Sequence, residues 1–298
     1  MKVFVTGPTG FVGSVVVAEL IRCGHQVLGL ARSDSSAKAL TAMGAKVHRG
    51  ELEDLESLKS GAAAADGIIH CGFIHDFSRF KEVCEVEKQA LEAMGSVLIG
   101  SDRPFVITSG TLLANPGHLA TEEDRTPMTA DDFPRVLTEQ GADSLAERDV
   151  NTSLVRLSPS VHGTGDHGFV PMLINLAREK GEAAYIGEGN NRWSAVHRLD
   201  AAVLFRLALE RAEKGARYHG AADEGIPFRD IATAIGKGLG VPVVSKSKEE
   251  AAGYFTWMVH FAGIDGPASS KLTRERLGWN PVQPGLLDDM QNGGYFQS

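Results

Sequence analysis

The amino-acid sequence predicts an α/β fold, a doubly wound parallel sheet with a smaller carboxyl-terminal region. Three observations predict it. Short apolar runs rich in Val, Ile and Phe recur through the first half of the chain, separated by helix-length segments. Strict alternation at that spacing implies right-handed crossovers, hence a parallel sheet covered on both faces. The first run also breaks directly into Gly7-Pro8-Thr9-Gly10, a turn that opens a helix.

The expected strands are residues 2–6, 26–31, 45–48, 67–71, 104–108 and 153–157. Near-continuous apolarity in Phe4-Val5 and Ile68-Ile69 fits strands buried on both faces. The expected helices are 11–23, 36–43, 55–65, 77–99 and 134–149, with a further one over 200–212. After Ser158 the regularity fails, and residues from Tyr218 onward mix short strands, Pro and helices. The expected division is a dinucleotide-binding unit over 1–163, to which 192–222 returns, and a smaller substrate-side region over 164–298.

The bulk composition narrows the function classes. The 298 residues are 43% hydrophobic and 23% charged, ordinary for a soluble globular enzyme. A formal net charge of −8 without a basic run leaves no electrostatic footprint for nucleic acid or an anionic membrane. Met1-Lys2 leads straight into a strand-like run, so a cytoplasmic location is the expectation. Cys23, Cys71 and Cys84 have neither disulfide nor zinc spacing and are expected to be free thiols. No metal site is expected, and a homodimer is left open as the assembly.

Gly7-x-x-Gly10-x-x-Gly13 follows the first strand and opens the first helix. In that context Gly7 makes the tight turn, Gly10 lets backbone approach a pyrophosphate, and Gly13 permits close helix–sheet packing. The amides of Phe11, Val12 and Gly13, with Thr9 in the turn, favour an anion at the positive helix end. The second strand ends in Ala31-Arg32-Ser33, where a cofactor with a free ribose 2′-hydroxyl would meet a carboxylate. Arg32 and Ser33 suit a 2′-phosphate instead, so NADP is favoured over NAD.

Over nearly its whole length the chain resembles the short-chain dehydrogenase/reductase superfamily, in its extended or atypical branch of NAD(P)-dependent epimerase/dehydratase-like proteins. Val5-Thr6-Gly7-Pro8-Thr9-Gly10-Phe11-Val12-Gly13 resembles the cofactor turn of that superfamily, and Gly50-Glu51-Leu52 its adenine-contacting segment. His70-Cys71-Gly72-Phe73 is similar to the strand end lying along the cofactor, and Thr108-Ser109 to the strand end carrying the catalytic Ser. Ser158-Pro159-Ser160-Val161 resembles the segment passing the nicotinamide. The resemblance thus implies a Rossmann-like domain with Glu51, Leu52, Cys71, Gly72, Phe73, Thr108, Pro159, Ser160 and Val161 at the cofactor. It also implies Arg192 and Trp193 in a substrate pocket.

The chain departs from the superfamily at its catalytic centre. None of its four tyrosines begins a Tyr-x-x-x-Lys motif. In the helix over 134–149, Arg135 stands where the Tyr belongs and Glu139 where the Lys belongs. A guanidinium is a poor general acid and a carboxylate opposes a phenolate. Their spacing predicts that the two pair with each other on one helix face.

Three other residues are candidates for the missing chemistry. Ser109 can orient a carbonyl, or cap a turn. His75, beside Asp76, can transfer a proton, or Asp76 can simply cap the next helix. His162 can donate from the substrate side; His197 is expected to pack or cap. The leading function is an NAD(P)-dependent oxidoreductase acting on a carbonyl, imine or hydroxyl group of a small molecule. A sugar-nucleotide epimerase or dehydratase and a non-catalytic NADP-binding regulator or redox sensor are the alternatives.

Overall fold

The computed structural model describes residues 1–114 and 116–297, and of Phe77 the backbone alone. The first half runs β1 (Lys2–Thr6), α1 (Phe11–Arg22), β2 (Gln26–Ala31), α2 (Asp34–Ala42), β3 (Lys46–Arg49), α3 (Leu55–Ala63), β4 (Gly67–His70), α4 (Phe80–Ser96), β5 (Pro104–Gly110), α5 (Val136–Glu147) and β6 (Asn151–Leu157). Then come β7 (Ser160–His162), α6 (Phe169–Lys180), β8 (Ala183–Ile186), β9 (Arg192–His197), α7 (Arg198–Arg211), β10 (Arg217–Gly220) and β11 (Asp223–Pro227). The chain closes with α8 (Phe228–Leu239), β12 (Val243–Lys246), α9 (Lys248–Phe255), α10 (Val259–Gly263), α11 (Lys271–Leu277) and α12 (Leu286–Asn292).

Seven parallel strands form the main sheet in the order β10-β6-β5-β4-β1-β2-β3. The α/β, Rossmann-like class expected from the alternation is the one observed. One face packs on α1 and α7 through Val16, Val17, Leu20, Leu204 and Phe205; the other packs on α3, α4 and α5 through Leu58, Leu91, Met94 and Leu145. Strand order reverses between β1 and β4, and doubly wound sheets bind ligands at the carboxyl ends beside such a switch. A second sheet, β11-β9-β7, and the pair β12-β8 share a separate core around Trp193, Phe228 and Phe255. Among the described residues no helix is long and apolar enough to cross a membrane.

Local chemistry sets most boundaries. Ser33 caps α2 by accepting from the Ser36 amide, and Asp54 caps α3 by accepting from Ser57. His197 caps α7, so that helix starts two residues before the expected Asp200. The helix expected over 77–99 is interrupted. Asp76 caps a short 3-10 turn, Phe77–Arg79, and Arg79 at φ −118°, ψ 33° breaks the path before α4. Asp200, buried in α7, accepts from the amides of Val282 and Gln283, while its carbonyl takes the Trp279 indole N–H. The carboxyl-terminal strap is thereby pinned to the helix that covers the sheet.

The three glycines of the first turn differ in what the fold asks of them. Gly7 has φ +62°, and a Cβ there would lie 2.7 Å from the Cys71 carbonyl oxygen. A Cβ on Gly13 would lie 2.0 Å from the Gly7 carbonyl oxygen. Gly10 has an ordinary φ of −74° and would meet only that same oxygen, at 3.3 Å. Gly13→Ala is therefore expected to destabilise by about 3 kcal/mol or more, and Gly10→Ala by no more than about 1 kcal/mol. Urea denaturation of the two variants checks the ordering; equal losses would contradict it.

Candidate active site

At the amino end of α1 the amides of Phe11, Val12 and Gly13 donate to no acceptor among the described residues, and Gly10 offers no side-chain cap. Such an end is a ready anion site. Thr9 and Gly10 are exposed at its mouth. Arg198, which the sequence reading passed over, lies across this end. It donates to Ser14 Oγ and to the Thr164 carbonyl, each at 2.8 Å, and its guanidinium carbon stands 4.3 Å from the centre of the Phe11 ring.

At the end of β2, Arg32 is exposed and has no hydrogen-bond or ion-pair partner among the described residues. The Ser33 hydroxyl serves as cap of α2 and lies 2.8 Å and 3.0 Å from the hydroxyls of Ser35 and Ser36. Asp34, the nearest carboxylate in sequence, is paired with Arg49 at 2.6 Å. Glu51 is exposed beyond β3, and Leu52 packs half-buried against the sheet, where it would meet a Cβ on Gly72.

Across the switch point, the Thr6 hydroxyl ties β1 to β4. Its oxygen accepts from the Gly72 amide at 3.1 Å and lies 2.8 Å from His70 Nδ1, to which it donates in the tautomer that turns Nε2–H toward Glu87. The remaining His70 proton then sits on Nε2, 3.6 Å from Glu87 Oε1. Glu87, on α4, is almost fully buried and also takes the Thr138 hydroxyl at 2.6 Å and the Arg135 guanidinium. Burial works to raise its pKa, but Arg135, His70 and Thr138 outweigh burial and hold it below the ordinary carboxylate range. Arg135 in turn lies 4.1 Å over the Phe73 ring. Beside it Thr108 donates to the His70 carbonyl at 2.7 Å, and burial pushes the Cys71 thiol up to about 12.

The expected pair of Arg135 with Glu139 does not form. Glu139 is buried and faces β5 and β6 instead. It accepts from Ser109 Oγ at 2.7 Å and from Arg156 Nε and Nη2 at 2.8 and 2.7 Å. Arg156 is itself fully buried, donating through Nη1 to the Asp124 carbonyl at 2.9 Å and lying 3.3 Å from His219 Nε2. The reason is geometric: each partner sits on a neighbouring element within reach of the sheet, where desolvated charges must be matched. A charged residue inside the apolar run Leu154-Val155-Arg156-Leu157 was the available signal that a buried carboxylate faced it.

The histidine candidates separate by exposure. His75 is exposed on the loop after β4, its ring edge-on to Phe73 at 5.2 Å. The surrounding chain, then the Arg135 charge, push its pKa below the ordinary imidazole value. Asp76 beside it caps the following turn. His162 has no exposed surface; its Nδ1 meets Asp289 Oδ2 at 2.8 Å and its ring packs on His197. Pro159 and Val161 are half-buried, and the Ser160 hydroxyl is buried with no hydrogen-bond partner among the described residues. Arg192 is held by Asp265 at 2.9 and 2.8 Å, and Trp193 lies wholly in the second core, so neither is a free pocket group.

A seven-stranded parallel sheet with a glycine turn at its switch point defines a Rossmann-like, dinucleotide-binding type of fold. The profile of the NAD dependent epimerase/dehydratase family matches residues 3–220, and the chain belongs to that family. It is 48% identical over 297 residues to an uncharacterized protein of Schizosaccharomyces pombe, covering 99% of this chain and 100% of that one. It is 28% identical over 257 residues to a decarboxylating sterol-4-alpha-carboxylate 3-dehydrogenase of Dictyostelium discoideum, covering 80% and 77%. A crystal structure described as a nucleoside-diphosphate-sugar epimerase from Pseudomonas aeruginosa superposes with a TM-score of 0.78 at 16% identity, covering 100% and 99%.

Two outcomes are expected of the buried network. Arg156→Met strands the Glu139 charge and is expected to cost about 3–5 kcal/mol, whereas Glu56→Gln on the surface is expected to cost under about 1 kcal/mol. Chemical denaturation compares them. His219, whose Nδ1 donates to the Ser269 carbonyl at 2.9 Å, has its pKa lowered to about 3 by burial and then by Arg156. An unfolded imidazole takes its proton near pH 6.5, about the ordinary value. Between these values the unfolded chain binds a proton that the folded chain does not, so stability falls on acidification through that window. Urea midpoints at neutral and mildly acid pH should show a shallower loss in His219→Gln than in the parent.

Proposed function

We propose that this chain is an NAD(P)-dependent oxidoreductase that moves a hydride between nicotinamide and a carbonyl or hydroxyl group of a small molecule, with NADP favoured over NAD. The observation that carries the reading is Gly10. The chain's own packing demands Gly7 and Gly13 but leaves room at Gly10, directly before three unpartnered helix amides. A side chain there would fill the space in front of those amides, which is where a pyrophosphate would be held. Exposed Arg32 with the hydroxyls of Ser33, Ser35 and Ser36 suits a 2′-phosphate, and the neighbouring Asp34 is already neutralised. The dehydrogenase named among the relatives supports hydride chemistry in the same framework.

When bound, the dinucleotide supplies the hydride donor or acceptor. Glu51 and Leu52 would border its adenine end, and Cys71, Gly72, Phe73, Pro159 and Val161 the other. The buried Ser160 hydroxyl is a polar group still lacking a partner there. Arg135 is committed to Glu87 and to the Phe73 ring, so it positions the rim of the cleft and takes no part in the proton step. Ser109 spends its proton on Glu139, so its oxygen can accept from a substrate hydroxyl but not donate to a carbonyl. His75, beside Phe73, is the residue assigned proton delivery in the reductive direction. One observation favours a second reading, an NADP-binding regulator without turnover: both groups at the Tyr and Lys positions are engaged in buried ion pairs.

NADPH binding and its oxidation over a carbonyl panel separate the two readings. Gly10→Val should abolish NADPH binding with the fold intact; unchanged affinity would refute the cofactor assignment. Arg32→Asp should weaken NADPH more than NADH by about 1.5–3 kcal/mol, the worth of a charge-assisted contact. With a substrate in hand, reductive kcat/KM should decline as pH rises through the depressed His75 pKa, and His75→Asn should remove that dependence.

A further inference from the structure

An unbroken series of aromatic rings leads away from Phe73, the residue at the nicotinamide end of the cleft in the reading above. Phe73 lies 6.5 Å from Phe80, edge to face, and Phe80 lies 5.5 Å from Phe133. Phe133 stacks on His260 at 6.3 Å and 29°, and meets Phe261 at the same distance edge-on. Trp257 meets Phe261 at 6.3 Å, and both rings touch Phe169, which leads on to Trp193 of the second core. The series therefore crosses from the loop after β4 to the segment around α10. Its rings are less buried than those of the second core, on whose edge Phe261 also packs. Trp193, Phe228 and Phe255 in the second core are no more than 1% exposed, whereas Phe73, Phe80, Phe133 and Phe261 are half-buried and Trp257 is 49% exposed.

The charges beside this wall are already matched. Arg135 is paired with Glu87 and spread over Phe73. Arg192, whose carbonyl and amide hold the Asp265–Gly266 segment behind Phe261, is bound through both guanidinium arms to Asp265. A nucleoside diphosphate brings two negative charges that must find donors or stay solvated. Neither arginine has that capacity to spare without leaving Glu87 or Asp265 unpaired. A flat uncharged ring, in contrast, gains contact area and edge-to-face geometry from each aromatic it meets.

We propose that the substrate is an uncharged carbonyl compound with an aromatic or similarly flat apolar body, seated on the wall from Phe73 to Trp257, and not a nucleotide sugar. The proposal rests on the oxidoreductase reading for its carbonyl and on the rings for its body. The step balances: hydride leaves the reduced nicotinamide for the carbonyl carbon, the C=O π pair moves to oxygen, and one proton from His75, replaced from solvent, yields the alcohol and the oxidised nicotinamide.

The full-length protein is titrated with acetophenone, 2-butanone and UDP-glucose, following tryptophan fluorescence and calorimetric heat, with and without NADPH. NADPH binding is measured first and by itself, so failure of the cofactor reading registers there, while ring preference is read from the titrations in either state. Acetophenone should bind at least about tenfold more tightly than 2-butanone, a gain its larger apolar face supplies when it is seated on the wall, and UDP-glucose should not compete. Trp257→Leu and Phe133→Leu should each raise the acetophenone dissociation constant about tenfold while the NADPH constant holds. Tight UDP-glucose binding, equal affinity for the two ketones, or unchanged acetophenone affinity in both variants would overturn the proposal.

Discussion

The buried Glu139 carboxylate joins more of this molecule than any other single group described. It takes one hydroxyl from β5 and two guanidinium protons from β6, and through Arg156 it reaches a loop carbonyl and the imidazole of β10. Desolvating that carboxylate is affordable only because every partner is present at once. The arrangement fixes where α5 lies on the sheet, and with it the position of Arg135 at the helix start. Arg135 then completes the second carboxylate, Glu87, which anchors His70 and the end of β4. The rim of the cleft is thus a lattice of matched charges.

In the proposed reading, that lattice lets the helix that resembles the superfamily's catalytic one keep its place without its chemistry. A Tyr and Lys pair works because one proton can move and one charge can assist it. Arg135 and Glu139 are both committed to structural ion pairs, so in the proposed reading proton delivery comes from outside the helix. Hydride transfer itself makes no demand on that helix, since the reacting carbon belongs to the dinucleotide.

Much of the fold was legible because local chemistry and tertiary context agree. The first two strands match the expected residues throughout, and the glycine turn reads correctly because a strand precedes it and a helix follows. The break at Arg79 was not legible, since the apolar periodicity from Phe77 to Met94 runs through it, broken only later at Glu87, and the interruption comes from the Asp76 cap. The ion pairs were misread for a different reason. Spacing along one helix suggested Arg135 with Glu139, but partners 48 residues upstream and 17 downstream reached each of them first. Glu87 could have been suspected, because it shares a helix face with Val83, Ala90, Leu91 and Met94 and so points into the core. The aromatic wall had no sequence signature, as its rings come from segments far apart in the chain.

The return of α7 and β10 to the main sheet bears on how the protein is made. The ribosome delivers β1 to β6 well before Leu204, Phe205, Ala208 and Leu209, which cover the same face as α1. At about 5–20 residues per second, that face stays bare for seconds, with β6 an open edge until β10 arrives beside it. The strap that locks α7 through Asp200 comes later still. The half of the molecule synthesised first is among the last to be sealed, because the elements that close its face and edge lie about fifty residues or more downstream.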